Sequence, residues 1–430
     1  MAVKAELNMD AQATSKGGFG SWGWGMIIFS IFMYCFYAGW GADGLNIFTT
    51  AFQRTRGWDP ATLLTLVAPG QLLGVIGSGF FGQIIIKRGP RFVITSGLVC
   101  FAAAVFWFGR VDALWQFAVA FMLINFFGAG FGFIATGTLI TTWFPRKKGI
   151  ALGWATMGFP LSTAAFVPVI ALMFGRIGIA GATTVWAGIL VLFAVVGFFF
   201  IKDKPEQIGC YPDNEPISDD AIKANLQELE NYVSPFTVKR LLRDKDMWLI
   251  AVGWGCLWMV TLGIVVQLVP RMMSIGYSQS YAIALLSAAA VCALPGSLLW
   301  GWLDQKFGTR FASICYGAVY ILTLIVLIAQ TRNTALTFIT IALVGLGLGG
   351  IKNLITSMVG TVYGRYDFTA ANRIIMPITI IVRTLCFPLM GVTLAILKTL
   401  TGAYAVFIVV DILAIILVFA TTSRCKGKAF

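Results

Sequence analysis

The sequence predicts an all-α membrane protein of twelve transmembrane helices in two pseudo-symmetric six-helix halves. Three observations carry that prediction. The chain is 58% hydrophobic and only 11% charged, against about 45–50% and about 25% in soluble domains, so most of its surface is not made for water. Apolar runs of the roughly 20 residues needed to cross hydrocarbon recur along its length. A basic loop occurs twice: Gly82, Lys87, Gly89 and Arg91 return as Gly301, Lys306, Gly308 and Arg310, each pair 219 residues apart, about half of the 430. A loop repeated once per half marks two related bundles.

Taken in order, the apolar runs are 24–51, 62–86, 92–109, 113–142, 149–174, 183–201, 247–269, 280–303, 311–330, 335–361, 373–396 and 404–421. The first is long and follows Glu6 and Asp10, unlike a cleaved signal, so it reads as a retained helix. The run 113–142 is long enough for a tilted helix that extends into a loop. Between runs six and seven lies a long polar segment with Pro205, Pro212, Pro216 and Pro235. It divides the chain into a bundle over 1–201, a linker over 202–246 and a bundle over 247–430. Within the linker, Asp219 to Tyr232 suits a short surface helix with Ser218 as its cap.

The net charge of +13 lies in short loops rather than on one face, so the bilayer and not nucleic acid is the expected partner. About 22 of the 31 Lys and Arg fall on the side of the tails, the linker and loops 2–3, 4–5, 8–9 and 10–11. By the positive-inside rule both termini are then cytoplasmic, in a multi-pass protein of the cell membrane. The eight cysteines are scattered singly, without disulfide or metal spacing, so neither a metal nor another cofactor is expected. No histidine occurs, so proton coupling would need carboxylates, another side chain or the substrate itself.

The paired loops resemble the signature between helices 2 and 3 of the major facilitator superfamily. Its acidic position is Ile86 in the first half and Gln305 in the second, with Asp304 next door, which puts the lock attributed to that acid in doubt. Trp143-Phe-Pro145-Arg146-Lys147-Lys148-Gly149, running into Gly158-Phe-Pro160, is similar to the oxalate:formate antiporter and monocarboxylate porter branch, as is Lys204-Pro205-Glu206 in the linker. The resemblance implies the major facilitator fold, alternating access, a monomer, and a conformational role for Gly82, Lys87, Gly89, Arg91, Gly301, Lys306, Gly308 and Arg310. Glycine clusters in helices 2, 4 and 10 suit close helix crossings.

A charge in mid-membrane costs on the order of 2.5–3.5 kcal/mol on insertion scales, so each needs a partner or a wet cavity. Four residues qualify: Asp43, Lys352, Arg383 and Asp411. Arg383, with Thr379 one turn before it, offers a planar fork suited to a carboxylate. The resemblance implies the same, since a basic residue of helix 11 binds substrate carboxylate in that branch. Its alternative is a structural pair with Asp411 or another acid; the resemblance implies a peripheral place for Asp411 on helix 12 and a structural partnership rather than transport chemistry. Lys352 is either a substrate ligand in helix 10 or an interfacial anchor. Asp43 is a proton carrier, a countercharge, or an outer-interface residue, on an expected helix 1 face with Trp40 and Asn46. Trp254, Trp258 and Thr261 form an aromatic stripe on helix 7, and Tyr34 and Tyr37 one on helix 1; each packs or faces a cavity. Branch members often carry a second basic residue in helix 8, and this chain has none there; Lys352, Arg271 or a substrate with one carboxylate would account for that.

These residues fit a secondary transporter of a small organic anion, a monocarboxylate or short dicarboxylate, working as antiporter or proton symporter. Other small solutes such as drugs, sugars or organic phosphates are the nearest alternative. A polytopic enzyme or receptor would need a catalytic or signalling constellation that these helices do not display.

Overall fold

The computed structural model describes residues 18–215 and 218–427; Glu6, Asp10 and Pro216 lie outside them. Among the described residues, nine continuous helical segments are long and apolar enough to cross a membrane. Three of them, Pro60–Phe108, Lys148–Phe200 and Thr334–Leu397, break at Gly89, Gly178 and Gly364, which brings the spans to twelve. Each break has positive φ (78°, 71° and 72°) with an extended ψ, a conformation open in practice to glycine alone.

Helix 1 joins Gly20–Asp43 to Leu45–Arg56, followed by helix 2 (60–88), helix 3 (90–108), helix 4 (Leu114–Trp143), helix 5 (148–177) and helix 6 (179–200). After the linker come helix 7 (Lys245–Ser274), helix 8 (Gln279–Phe307), helix 9 (Thr309–Ala329), helix 10 (334–363), helix 11 (365–397) and helix 12 (Leu400–Phe419). Every expected run has its helix, with ends moved by up to eight residues at helix 11. Its extra residues include Arg365 and Asp367, polar groups buried against the linker that apolar counting passes over. Helix 4 is likewise helical to Trp143 rather than ending in a loop, and passes through a π-helical turn at Gly130–Ala135.

Side-chain caps fix several starts: Asp59 accepts from Thr62 N–H at 2.9 Å, Ser278 from Tyr281 N–H at 3.3 Å, and Thr399 from Gly402 N–H at 3.1 Å. The linker helix is Asp219–Asn231, close to its expected span, yet Ser218 makes no side-chain cap bond. Instead the linker's acids cap other helices. Asp203 accepts from Arg91 N–H (2.7 Å) at the start of helix 3, and Asp213 accepts from Arg146 and Lys147 N–H (3.0 and 2.8 Å) at the start of helix 5. Burial pushes both carboxyls above the usual carboxylate range, a rise those N–H groups partly offset. Glu206 forms a fully buried two-pronged pair with Arg365 at 2.7 and 2.9 Å.

Helices 1–6 meet helices 7–12 through small residues near the linker side. A Cβ on Gly149 would lie 2.9 Å from Asp304 Oδ2 and from Gly301 O, and one on Gly153 would lie 3.1 Å from Ser297 O. Thr156 and Ser297 hydroxyls lie 2.8 Å apart, and Gln305 Nε2 donates to Arg146 O at 2.9 Å. The perimeter carries exposed Leu72, Ile76, Phe199, Val409 and Ile416, an apolar girdle that suits hydrocarbon.

Candidate functional site

Where the two groups of helices part, above the contacts near the linker, a cavity of about 90 Å³ adjoins a chamber of about 210 Å³, with Asp43, Phe159, Trp258, Lys352 and Arg383 in both walls. Each side chain arrives there by a local feature of its helix. Helix 1 widens into a π turn at Gly39–Asp43, closed by a Gly44 N–H to Gly39 O bond of 3.0 Å. Gln71 of helix 2 donates to Gly41 O at 3.0 Å. A second π turn, Ser162–Phe166, brings Thr163 to donate to Asp43 Oδ2 at 3.0 Å. Such one-residue insertions re-aim side chains without ending the helix.

The π turn also corrects an expectation. Trp40, Asp43 and Asn46 do not share a face, because the extra residue rotates the helix beyond it. Trp40 is fully buried and stacked on Phe48 at 5.2 Å, Asp43 faces the cavity, and Asn46 lines a separate groove against the end of helix 5. Asp43 therefore belongs to the cavity and not to the outer interface.

Both cations rest on aromatic faces. The Arg383 guanidinium lies 4.6 Å from the Trp258 ring centroid, and Lys352 Nζ lies 3.2 Å from that of Phe159. Arg383 Nε is buried with no hydrogen-bond partner among the described residues. No direct ion pair joins Asp43, Lys352 or Arg383 to any other described residue, although Asp43 and Lys352 lie within each other's field. The wall thus carries two cations and one carboxylate, a net charge of +1, with hydrogen-bonding capacity unused.

The remaining candidates divide. Tyr37 lines the cavity beside Phe133 and Phe159, with ring centroids 6.1 and 6.3 Å away. Tyr34 is buried one layer behind, 4.7 Å from the Phe159 ring. Trp258 lines the cavity, but Trp254 is fully buried against Tyr316 at 5.8 Å, so the helix 7 stripe is only partly in the site. Thr379 is also buried, its hydroxyl returned to Ile375 O at 2.9 Å, and does not accompany Arg383 into the cavity. Polar residues that sequence reasoning passed over complete the wall: Gln71, Ser78 and Asn125. For two of them the signal was an amide within an apolar run, Gln71 in helix 2 and Asn125 in helix 4.

The repeated loops are turns with matched geometry: Gly89 and Gly308 have φ of 78° and 86°. Arg91 donates from its guanidinium to Phe198 O, and Arg310 lies 4.3 Å from the Phe419 ring. The first loop has no acid at Ile86, but Asp203 of the linker stands against its turn, the carboxylate 2.6 Å from where a Cβ on Gly89 would lie. In the second half Asp304 accepts from Thr309 Oγ1 at 2.6 Å while facing the start of helix 5. Among the described residues no cluster of metal-ligating side chains occurs.

Residues 80–376 match the sequence profile of the Major Facilitator Superfamily. The chain is 21% identical over 308 residues to the oxalate:formate antiporter of Oxalobacter formigenes, a match spanning 68% of this chain and 66% of that protein, just short of two thirds of its length. It is 24% identical to the gentisate transporter of Corynebacterium glutamicum over 79% of this chain and 73% of that one. Among solved structures, the proton:xylose symporter XylE superposes with a TM-score of 0.70 at 12% identity, covering 93% of this chain and 96% of the other. FucP in its outward conformation gives 0.66 at 14% identity, covering 93% and 98%. At such identity these two share the fold.

Proposed function

This chain belongs to the Major Facilitator Superfamily of transporters, and we propose that its cargo is a small organic anion bearing one carboxylate. It is a transporter rather than an enzyme, and a multi-pass membrane protein. The observation that carries the cargo class is the wall of the cavity, with net charge +1 and an Arg383 fork that no carboxylate of the described residues occupies. A buried cation left without an anion is costly, so an arriving carboxylate is stabilised twice, by charge and by the fork. Lys352 and Asp43 form the second, internally compensated part of the site, with Asp43 as countercharge. Tyr37, Trp258 and Phe159 supply the apolar walls for the body of the anion.

Transport follows from alternating access of two halves, 1–201 and 247–430, joined by the linker 202–246, with a monomer as the working unit. The charge asymmetry of the loops supports a cell-membrane protein with both termini cytoplasmic. Single cysteines in loops 2–3 and 8–9 should then react only with reagents that reach the cytoplasm.

The cargo class is tested by thermal shift of purified protein with lactate, its neutral amide, glucose and glucose 6-phosphate, since a ligand that binds the folded state raises its stability. Lactate should stabilise. The amide should bind more weakly by about 1.5–3 kcal/mol, the worth of a charged hydrogen bond. A shift with glucose, the amide or glucose 6-phosphate, and none with lactate, overturns the reading.

A further inference from the structure

Asp411, in the middle of helix 12, is fully buried, and neither of its carboxylate oxygens has a hydrogen-bond partner among the described residues. The pair with Arg383 that the sequence left open is not formed, because Arg383 turns to Trp258 and the cavity. Helices 7 and 9 sandwich this part of helix 12: Gly253 packs on Val418, Gly263 on Phe407 and Gly317 on Ile415. The titratable groups they present to Asp411 are Cys256 from helix 7 and Tyr316 and Tyr320 from helix 9. Cys386 of helix 11 lies instead in the field of Arg383, its thiol donating to Met390 Sδ at 3.5 Å. Two turns along helix 12, Tyr404 lies in the field of Arg271. Arg271 itself is occupied by Leu327, Ile328 and Gln330 carbonyls at the end of helix 9.

The tyrosines lie within reach of this carboxyl's field on the way to the central cavity. Thr261 lines the 210 Å³ chamber, and its hydroxyl lies 3.2 Å from Tyr316 OH. Tyr316 and Tyr320 rings are 4.9 Å apart, and the buried Tyr320 hydroxyl has no hydrogen bond of its own among the described residues. Each hydroxyl both donates and accepts, so a proton entering at Thr261 can pass to Tyr316, and rotation of the Tyr320 hydroxyl, which is unengaged among the described residues, is what would carry it on to Asp411. An ionised carboxylate with neither cation nor donor costs several kcal/mol in such surroundings, whereas the carboxylic acid is neutral.

We propose that Asp411 is a proton-binding site of the transport cycle, loaded and emptied through Thr261, Tyr316 and Tyr320 from the central cavity. The inference rests on the transport reading above and deepens it, because one proton carried with one monocarboxylate moves no net charge.

Two measurements test it separately. Infrared spectra of the protein in lipid, without any substrate, should show a protonated-carboxyl band that is lost on raising the pH, and that is missing in Asp411→Asn. In proteoliposomes holding an internal pH dye, external lactate should acidify the lumen with wild type and not with Asp411→Asn, while lactate counterflow persists in the variant. Tyr320→Phe should slow acidification and leave lactate affinity unchanged, which a purely structural tyrosine would not do. The proposal is overturned if the band is absent from wild type or survives in Asp411→Asn, if acidification survives that substitution, or if uptake needs sodium instead of a proton. Failure of lactate to bind wild type would sink the carboxylate reading, and the infrared arm would still decide Asp411.

Discussion

Arg383 and Trp258 act as a unit in which the ring holds the guanidinium while its outer edge stays available to an anion. Arg383→Ala should weaken lactate binding by about 1.5–3 kcal/mol, roughly tenfold to a hundredfold. Arg383→Lys keeps the charge but loses the fork and the flat stacking, so it should fall between the two. Titration of purified protein reads both, and wild-type affinity in the alanine variant removes Arg383 from the site. The charged part of this site was legible in the sequence because a charge inside an apolar run is an anomaly on hydropathy alone. The aromatic part was only half legible. Spacing puts Trp254 and Trp258 on one helix face, yet whether Tyr316 or the cavity covers that face depends on helix 9, which no local pattern reports. Tyr34 and Thr379 went astray for the same reason.

Helices and their turns followed from hydropathy and glycine, but the π turns at Gly39–Asp43, Gly130–Ala135 and Ser162–Phe166 did not, since no residue preference distinguishes them from ordinary helix. They decide where Asp43, Phe133 and Thr163 point. Turn glycines, by contrast, make a graded prediction. Gly89→Ala and Gly308→Ala both force a side chain into a glycine-only conformation, at about 1–3 kcal/mol. Only Gly89 also sets the new Cβ against the Asp203 carboxylate, while nothing lies within 4 Å at Gly308. Melting of the two variants in one detergent should therefore show Gly89→Ala as the less stable, and the reverse order would mean that Asp203 yields freely. At the other end of the chain Lys426 ties the tail to Asp244, at 2.5 Å, and to Asp246. Burial opposes ionisation of Asp244, but Lys426, the Tyr363 hydroxyl and the Asp246 N–H outweigh it and hold the carboxyl below the usual range. A carboxyl so lowered contributes stability above the ordinary carboxylate range and loses it as pH falls through its folded value. A nitroxide on Cys425 should thus become mobile at acid pH, and Lys426→Ala should mobilise it already at neutral pH. A label equally mobile at every pH in the parent protein would show that the clasp does not form.

At the scale of the molecule, the repeat of 219 residues announced two halves, and nothing in the sequence announced which side of the membrane they close. That depends on Gly149, Gly153, Ser297 and Gly301, small residues whose partners lie about 150 positions away and which look like any other helix-packing glycine or serine. Their approach closes the linker side below Lys352 and Arg383, and on the proposed carboxylate reading the anion would enter from the opposite face. Alternating access requires that seal to open. The Thr156 and Ser297 hydroxyls, 2.8 Å apart across it, offer a direct way to hold it shut. Cysteines at both positions should form a disulfide, which needs the sulfurs at roughly 2 Å. With the bridge formed, lactate should still raise the melting temperature, because Thr156 and Ser297 line neither part of the cavity, whereas counterflow in proteoliposomes should stop and return on reduction. Full counterflow through a fully bridged protein would mean that this seam stays closed throughout the cycle and that the anion leaves by another route.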